Sequence, residues 1–248
     1  MVDIHCHVLP GIDDGAADLA EAVAMCRLAA ADGVEALVAT PHQRTAAWEN
    51  LDPGALAALR ARLAEAVGGR PELLAGAEVR VDSELLDDLA RPGLGGVLPL
   101  AGSRYLLLEL DRTDPAPPVE TLAHELALAG WTPVFAHPEF IPALGDDPAL
   151  VHRLAEAGAL FQVTAMSVAG EAGAAARARC HRLLDEGLVH FVASDCHGVD
   201  WRPPGLSRAR RVLAARWGEE AAQALTADNP RAVIEHRPLA VPAPPARR

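Results

Sequence analysis

Short apolar runs alternate with amphipathic stretches along this 248-residue chain. Hydrophobic residues cluster at 2–6, 34–40, 73–81, 105–110, 132–136, 160–164 and 188–194. Between these runs, apolar residues recur at helical spacing, most clearly at 17–32, 53–67, 118–130, 148–158 and 171–186. Such alternation is typical of parallel strands joined by crossover helices. About seven units in this length favour a closed or nearly closed α/β barrel, although an open doubly wound sheet has the same periodicity.

The length of the chain suits one large domain, which we place at residues 1–237. Proline recurs through 238–248, which predicts a disordered tail. No apolar run is long enough to span a bilayer, and no signal-peptide pattern precedes V-D-I-H-C-H. We therefore expect a cytoplasmic protein without stable membrane insertion, and its four widely spaced cysteines indicate reduced thiols.

The charge balance narrows the classes of function. With 34 acidic and 22 basic residues the net charge is −12, which disfavours a polyanionic partner such as nucleic acid. Every basic residue is arginine, so a Schiff-base lysine and a P-loop lysine are both excluded. Clustered carboxylates repel one another until a cation neutralises them, so part of this negative charge is consistent with metal binding.

Residues that can bind metals lie where the apolar runs end. Six of the seven runs end in His, Asp or Glu, and the carboxyl ends of parallel strands line the active face of α/β folds. In the first run, two histidines stand two residues apart, so both imidazoles point to one side of a strand. The candidates are His5, His7, Asp13, Asp14, His42, Glu78, Glu109, His137, Asp195 and His197.

So many buried charged groups are sensible only around cations. Carboxylates combined with imidazoles suit Mn, Fe, Zn or Mg, and the number of candidates indicates two or three ions. Such clusters activate water and stabilise phosphoryl transfer, which makes hydrolysis the favoured chemistry. The other histidines receive no role, because they lie on predicted helices, at the start of a run or before the tail: His124, His152, His181, His190 and His236.

The ordered motifs resemble the PHP (polymerase and histidinol phosphatase) superfamily. The matching stretches are D-I-H-C-H-V-L-P-G-I-D-D-G (3–15), P-H (41–42), G-A-E (76–78), L-L-L-E-L (106–110), P-V-F-A-H (133–137), G-L-V-H-F-V-A-S-D-C-H (187–197), R-P-P (202–204) and D-N-P (228–230). The D-D-G and S-D-x-H…R-P-P segments are most similar to the bacterial capsular and exopolysaccharide tyrosine-protein phosphatases within it.

That resemblance implies a distorted, TIM-like (β/α)7 barrel with three divalent ions, manganese being the usual one. The implied ligands are His5, His7, Asp14, His42, Glu78, Glu109, His137, Asp195 and His197. Glu78 would bridge two ions, and a metal-bridging hydroxide would attack phosphorus. Arg202, and also Arg44, would contact the phosphate, as guanidinium forks do. The implied substrate is the phosphotyrosine-bearing tail of a kinase of polysaccharide assembly.

One departure and several alternatives remain open at this stage. The family pattern H-x-E-R reads H-P-E-F here, so Phe140 stands where an arginine is expected. A histidinol phosphatase or another small-metabolite phosphatase would share the same metal chemistry. Cys196 and Arg202 form a C-x5-R pair, the spacing of cysteine-dependent phosphatases, which chance produces easily in an arginine-rich chain. A non-catalytic metal-binding module and a nuclease complete the list.

Overall fold

The computed structural model describes residues 1–111 and 118–239 as a mixed α/β fold whose paired strands are all parallel. The strands are β1 (Val2–Cys6), β2 (Ala36–Ala39), β3 (His42–Gln43), β4 (Glu72–Ala75), β5 (Glu78–Arg80), β6 (Tyr105–Glu109), β7 (Thr132–Ala136), β8 (Leu160–Thr164) and β9 (Phe191–Ala193). They form one sheet in the order β1-β2-β4 and a second in the order β3-β5-β6-β7-β8-β9.

Helices follow most strands and pack on their outer faces. They are α1 (Leu19–Ala31), α2 (Pro53–Val67), α3 (Leu85–Ala90), α4 (Val119–Leu128), α5 (Pro142–Gly145), α6 (Pro148–Glu156), α7 (Ala165–Ala169), α8 (Ala174–Asp185), α9 (Ser207–Trp217), α10 (Glu219–Gln223) and α11 (Asn229–Ile234). Short 3-10 turns occupy Pro92–Gly96, Leu100–Gly102 and Pro138–Phe140, and a π-helical turn occupies Ala224–Asp228.

Local sequence explains the helix boundaries. Asp52 caps α2 by accepting hydrogen bonds from the N–H groups of Gly54 and Ala55, and Pro53 takes the first helical position. At the other end Gly68 adopts the left-handed conformation (φ 76°) that commonly ends a helix. Because these signals are local, the predicted helix at 53–67 has the observed bounds.

Alternate strand residues belong to two separate apolar cores. In β6, Leu106 and Leu108 join the large core formed with the helices, whereas Tyr105 and Leu107 join a small core made mostly of strand residues. The same alternation holds in β2, β7 and β9. These four strands are therefore covered by helices on one face and by other strands on the opposite face.

The two sheets are connected in two ways: the chain passes directly from one to the other, and β1 hydrogen-bonds to residues just beyond β9. Strands β3 and β5 begin shortly after β2 and β4 end. Cys6 of β1 forms an isolated parallel bridge with Cys196, just beyond β9. The N–H of Asp195 donates to the carbonyl of His5 (2.8 Å), and the N–H of His7 donates to that of Cys196 (3.0 Å). The predicted barrel is thus seen as two parallel sheets, without a closed ring of paired strands among the described residues.

Within the described residues, no helix has the length and apolar character needed to cross a membrane. The predicted disordered tail falls largely outside the described residues, which end at 239. Its second residue, Leu239, packs against the small core.

Candidate metal centre

The nine residues predicted as ligands lie together at the carboxyl ends of the strands. Their donor atoms form four overlapping groups in which all atoms lie within 4.8 Å of one another. The groups are His7/Asp14/His42/His197, His5/His137/Asp195, His5/His7/Glu78 and His42/Glu78/Glu109. Strand register contributes directly, because His42 of β3 is the pairing partner of Glu78 of β5.

Glu78 occupies the middle of this cluster and is 1% exposed. Its Oε1 lies 2.8 Å from Nε2 of His137, and its Oε2 lies 2.9 Å from Nδ1 of His42. The same Oε2 is 3.5 Å from Nε2 of both His5 and His7. Burial alone would raise the pKa of the Glu78 carboxyl, but the surrounding imidazoles outweigh it and hold that pKa well below its usual range.

His5 of β1 and His7, which directly follows β1, are oriented by residues outside the cluster. Nδ1 of His5 lies 2.8 Å from Oε1 of Gln162, and Nδ1 of His7 lies 2.9 Å from Oδ2 of Asp13. If each Nδ1–H donates there, each Nε2 presents a lone pair to the cluster. The two Nε2 atoms are 3.2 Å apart, a separation that needs a proton or a cation between them. This pairing suits a shared metal ion.

Neighbouring carboxylates raise the pKa of three histidines of the cluster, His7, His42 and His137. Burial favours the neutral form of His7, but its contacts with Asp13, Asp195 and Glu78 prevail and raise its pKa well above the ordinary value. The pKa of His42 is raised to about 10, because contacts with Asp14 and Glu78 overcome its burial. Metal binding would therefore have to displace protons from these imidazoles.

One corner of the cluster is open to solvent. The side chain of Asp14 is 40% exposed, and its Oδ1 lies 3.4 Å from Nε2 of His42 and 3.3 Å from Nε2 of His197. On the buried side, Glu109 Oε2 accepts no hydrogen bond from any described residue. A buried carboxylate oxygen whose nearest cationic nitrogen, Nε of Arg80, lies 3.4 Å away without forming a hydrogen bond has capacity for a cation. The described residues thus match a divalent metal site in both donor type and arrangement.

The two predicted phosphate-binding arginines lie in different surroundings. Arg202 reaches the cluster, where its guanidinium pairs with Asp195 and approaches Nε2 of His197 at 3.4 Å. Arg44 instead forms ion pairs with Asp82 (2.6 Å) and Asp88, and neither of these residues belongs to the cluster. A phosphate role for Arg44 stays a prediction, whereas Arg202 is positioned beside the candidate ligands.

Several residues around the cluster gave little or no signal in the sequence. Gln162 lies on β8, the strand whose end carries no acid or histidine. Arg80 is two residues after Glu78, and its Nε lies 3.4 Å from Oε2 of Glu109. The i, i+2 spacing from Glu78 could have indicated Arg80, because both side chains lie on one face of the strand. Trp48 and Trp201 pack on His42 and His197, but both tryptophans are flanked only by loop sequence.

The backbone is strained at three residues of the site. His137, Asp195 and Arg202 have positive φ angles of 34°, 52° and 51°, a region that disfavours side chains with a Cβ. Each such residue costs of order 1 kcal/mol or more and persists only where its surroundings impose it. Such strain is common where side chains must be aimed at a ligand.

Comparison with known proteins agrees with this geometry. The family model described as capsular polysaccharide synthesis, CpsB/CapC, matches residues 1–235. The chain belongs to the CpsB/CapC family. Among curated proteins, this CpsB/CapC member is 36% identical to the tyrosine-protein phosphatase YwqE of Bacillus subtilis over 229 residues, 91% of this chain and 89% of YwqE. It is 31% identical to the tyrosine-protein phosphatase CpsB of Streptococcus pneumoniae over 241 residues, 94% of this chain and 98% of CpsB.

Solved structures give the same picture of the family. A crystal structure from work on YwqE of Bacillus subtilis and CpsB of Streptococcus pneumoniae, described as unique metal-dependent tyrosine phosphatases, superposes with a TM-score of 0.91 at 34% identity and full coverage of both chains. A lactonase from Listeria monocytogenes gives a TM-score of 0.51 at 13% identity, covering 96% of this chain and 94% of the lactonase, a likeness of fold alone. The resemblance drawn from the motifs is confirmed at the level of the CpsB/CapC family.

Phe140 and Cys196 lie in different surroundings in this family member. Phe140, at the position of the expected arginine, has its ring centroid 5.9 Å from that of His137 and so borders the cluster. Cys196 of the C-x5-R pair is fully buried and belongs to the large core. A thiol packed among apolar side chains lacks the electropositive, accessible surroundings that activate a nucleophilic cysteine.

Proposed function

We propose that this protein is a metal-dependent phosphomonoesterase that removes phosphate from tyrosine residues of proteins. The observation that carries the proposal is the convergence of eight His, Asp and Glu side chains around the buried carboxylate of Glu78, in a chain of the CpsB/CapC family. Its relatives of this family are named tyrosine-protein phosphatases. We further propose that the physiological substrate is a cytoplasmic tyrosine kinase tail in capsule or exopolysaccharide assembly.

The proposed ligands are the nine clustered residues, with Glu78 shared between ions. The four overlapping donor groups support more than one ion, and we propose three, with manganese as the occupant. Divalent ions at such a site supply activated water at neutral pH and neutralise charge on phosphoryl oxygens.

The chain's own residues bind and orient the substrate. The side chain of Arg202 is 19% exposed, so a phosphoester at the open corner can reach its guanidinium. Gln162 and Asp13 hold the rings of His5 and His7 in fixed orientations, which limits the reorganisation needed during the reaction. The buried carboxylates and imidazoles beneath close the site to bulk water on that side.

We also infer that the strands close into the distorted (β/α)7 barrel predicted from the sequence. This barrel would form one domain spanning residues 1–237. The backbone hydrogen bonds that join His5 and His7 to Asp195 and Cys196 support closure between β1 and β9. The small core also supports closure, because strands from both sheets contribute alternate residues to this core. The inward-facing residues of a barrel form such a common interior.

The decisive experiment is hydrolysis of a phosphotyrosine peptide by chelator-stripped protein, with and without added Mn²⁺. We expect little activity after stripping and full recovery with metal. Glu78→Gln, which keeps the shape of the side chain but removes its charge, should lose activity together with bound metal measured by elemental analysis. Activity that survives complete metal removal would overturn the proposal.

Two further measurements separate the alternatives. Histidinol phosphate, assayed in parallel, tests for a small-metabolite phosphatase; a much higher kcat/KM on it than on the peptide would reassign the substrate. Cys196→Ala tests thiol chemistry, and we expect a folded, metal-loaded variant to keep most of its activity. Normal metal content without hydrolysis of any phosphoester would indicate a non-catalytic metal-binding module.

A further inference from the structure

Trp201 is exposed at the edge of the cluster in a chain with only 4% aromatic residues. The residue is 63% exposed, and few large hydrophobic residues among those described are so exposed. The indole packs edge-on against the ring of His197, with centroids 5.6 Å apart and planes at 80°. The guanidinium carbon of Arg202 lies 5.3 Å from the indole centroid. An exposed apolar ring beside a candidate phosphate-binding arginine is a candidate contact for the organic part of a phosphoester.

A second indole packs on the other imidazole at the open corner. Trp48 stacks on His42 with centroids 5.4 Å apart and planes within 10°. His42 and His197 are the two imidazoles that contact the exposed carboxylate of Asp14. The two tryptophans therefore flank the side on which the cluster meets solvent.

We propose that Trp201 and Trp48 form an aromatic clamp that contacts the ring of an aryl phosphoester and favours aryl over alkyl substrates. A phosphoryl group held by Arg202 brings its ester oxygen close to the Trp201 ring. The remainder of the substrate must leave through the open corner, because the opposite side of the cluster is filled by buried residues. Aromatic rings attract one another edge-to-face or offset, beyond the area that they bury. The inference rests on the proposed phosphatase activity and adds its substrate selectivity.

The test compares Trp201→Ala, Trp201→Phe and the wild type on two peptides that differ only in phosphotyrosine or phosphoserine. For Trp201→Ala, we expect the ratio of kcat/KM values, phosphotyrosine over phosphoserine, to fall about 2- to 12-fold, the range that aromatic pairs produce. Trp201→Phe should restore most of the ratio. Leu128→Ala, which removes another exposed apolar side chain on α4, should leave both kcat/KM values unchanged.

A binding measurement makes the inference independent of turnover. Titration of the metal-loaded protein with benzylphosphonate and with methylphosphonate should show tighter binding of the benzyl compound, and Trp201→Ala should reduce this preference by a similar factor. Equal losses for both ligands, or an unchanged preference, would overturn the clamp. If the wild type hydrolyses neither peptide, the phosphatase proposal fails, while the two phosphonates still decide whether the clamp exists.

Discussion

At the scale of single residues, the most informative contacts are those that orient the histidines. Oδ2 of Asp13 accepts hydrogen bonds from Nδ1 of His7 and from the backbone N–H of His42, while Oδ1 accepts one from Gly15. One carboxylate thus fixes two candidate ligands and the turn that carries Asp14. Its sequence position, next to Asp14 in D-D-G, made it a metal candidate, but the structure gives it a supporting place.

Replacing Asp13 by Asn should weaken metal binding without unfolding the protein. The amide oxygen can still accept one hydrogen bond, but the negative charge that increases the basicity of His7 is lost. Changes of this kind reduce metal affinity about 10- to 100-fold. Calorimetric titration of the stripped variant with Mn²⁺ measures the change. Glu156→Gln, an exposed charge removal on α6, is the matched control, and equal affinities in both variants would contradict the assigned contact.

Gly15 is required by a close approach rather than by its backbone angles. A Cβ there would lie 2.1 Å from the carbonyl oxygen of His7 and 2.5 Å from its Cβ. Gly15→Ala must therefore displace the backbone of His7. We expect a loss of about 1–3 kcal/mol in unfolding free energy, as for other overpacked sites, together with reduced metal content. Denaturant unfolding and elemental analysis test this, with Gly54→Ala at the start of α2 as the control; an unperturbed Gly15→Ala protein would be evidence against the contact.

The sequence predicted the clustered residues better than those that support them. His, Asp and Glu at or just beyond strand ends share a position in the fold, so one rule gave ten candidates, and the resemblance selected nine of them as ligands. Gln162 reaches His5 across 157 positions of sequence, and no local pattern signals that pairing. Arg44 was predicted to contact phosphate, but in the structure its guanidinium forms ion pairs with Asp82 and Asp88. No sequence pattern had linked these two carboxylates to Arg44.

At the scale of elements, the apolar runs located eight of the nine described strands but did not give their division. The run 34–40 contains β2 and ends before the two-residue β3, and the run 73–81 overlaps both β4 and β5, which are separated by Gly76 and Ala77. Helix α9 was missed because it buries only Ala209 and Leu213 and carries several arginines, so its apolar stripe is weak. Pattern methods detect burial, and this helix buries little.

His190, at the start of the last apolar run, links β8 to β9 and should make stability depend on pH. Its Nδ1 accepts a hydrogen bond from the N–H of Phe161 (3.2 Å), and burial lowers its pKa from 6.5 to about 4. As pH falls below 6.5, His190 becomes protonated in the unfolded chain, whereas in the folded protein it stays neutral down to about pH 4. Stability contributed by this residue is therefore present above pH 6.5 and lost between 6.5 and about 4.

His190→Asn keeps a hydrogen-bond acceptor but removes the titration. Between pH 7 and pH 4, we expect the wild type to lose about 2–3 kcal/mol more unfolding free energy than the variant, a difference that follows from the lowered pKa. Denaturant titrations at several pH values measure it, with the exposed His124→Asn on α4 as control. Parallel pH profiles for wild type and His190→Asn would refute this account.

At the scale of the whole molecule, the small core is covered at one end by the carboxyl-terminal segment. Val233 of α11 is part of this core, Leu239 packs against it, and the hydroxyl of Tyr105 donates to the carbonyl of Arg237 (2.9 Å). The tail predicted at 238–248 thus includes Leu239, which packs against the core, while residues 240–248 of this tail lie outside the described part of the chain.

Truncation should reveal this boundary. Residues 240–248 belong to the tail that the sequence predicts to be disordered, so deleting them should leave the melting temperature unchanged. Deleting 237–248 also removes the partner of Tyr105 and the packing of Leu239, so we expect a lower melting temperature by several degrees. Thermal unfolding of the two shortened proteins beside the full chain provides the measurement. Identical melting temperatures would show that the segment contributes nothing to the core.

The left-handed residues at the cluster have a consequence for protein engineering. A laboratory selection for thermostability alone would find His137, Asp195 and Arg202 attractive targets, because glycine or asparagine relaxes each backbone at once. Libraries screened by heat challenge without an activity assay should therefore accumulate changes at these positions, and the most heat-resistant clones would be those that had lost candidate metal ligands. Screening with metal present would reverse that pressure, since the bound ion would favour the strained but competent backbone.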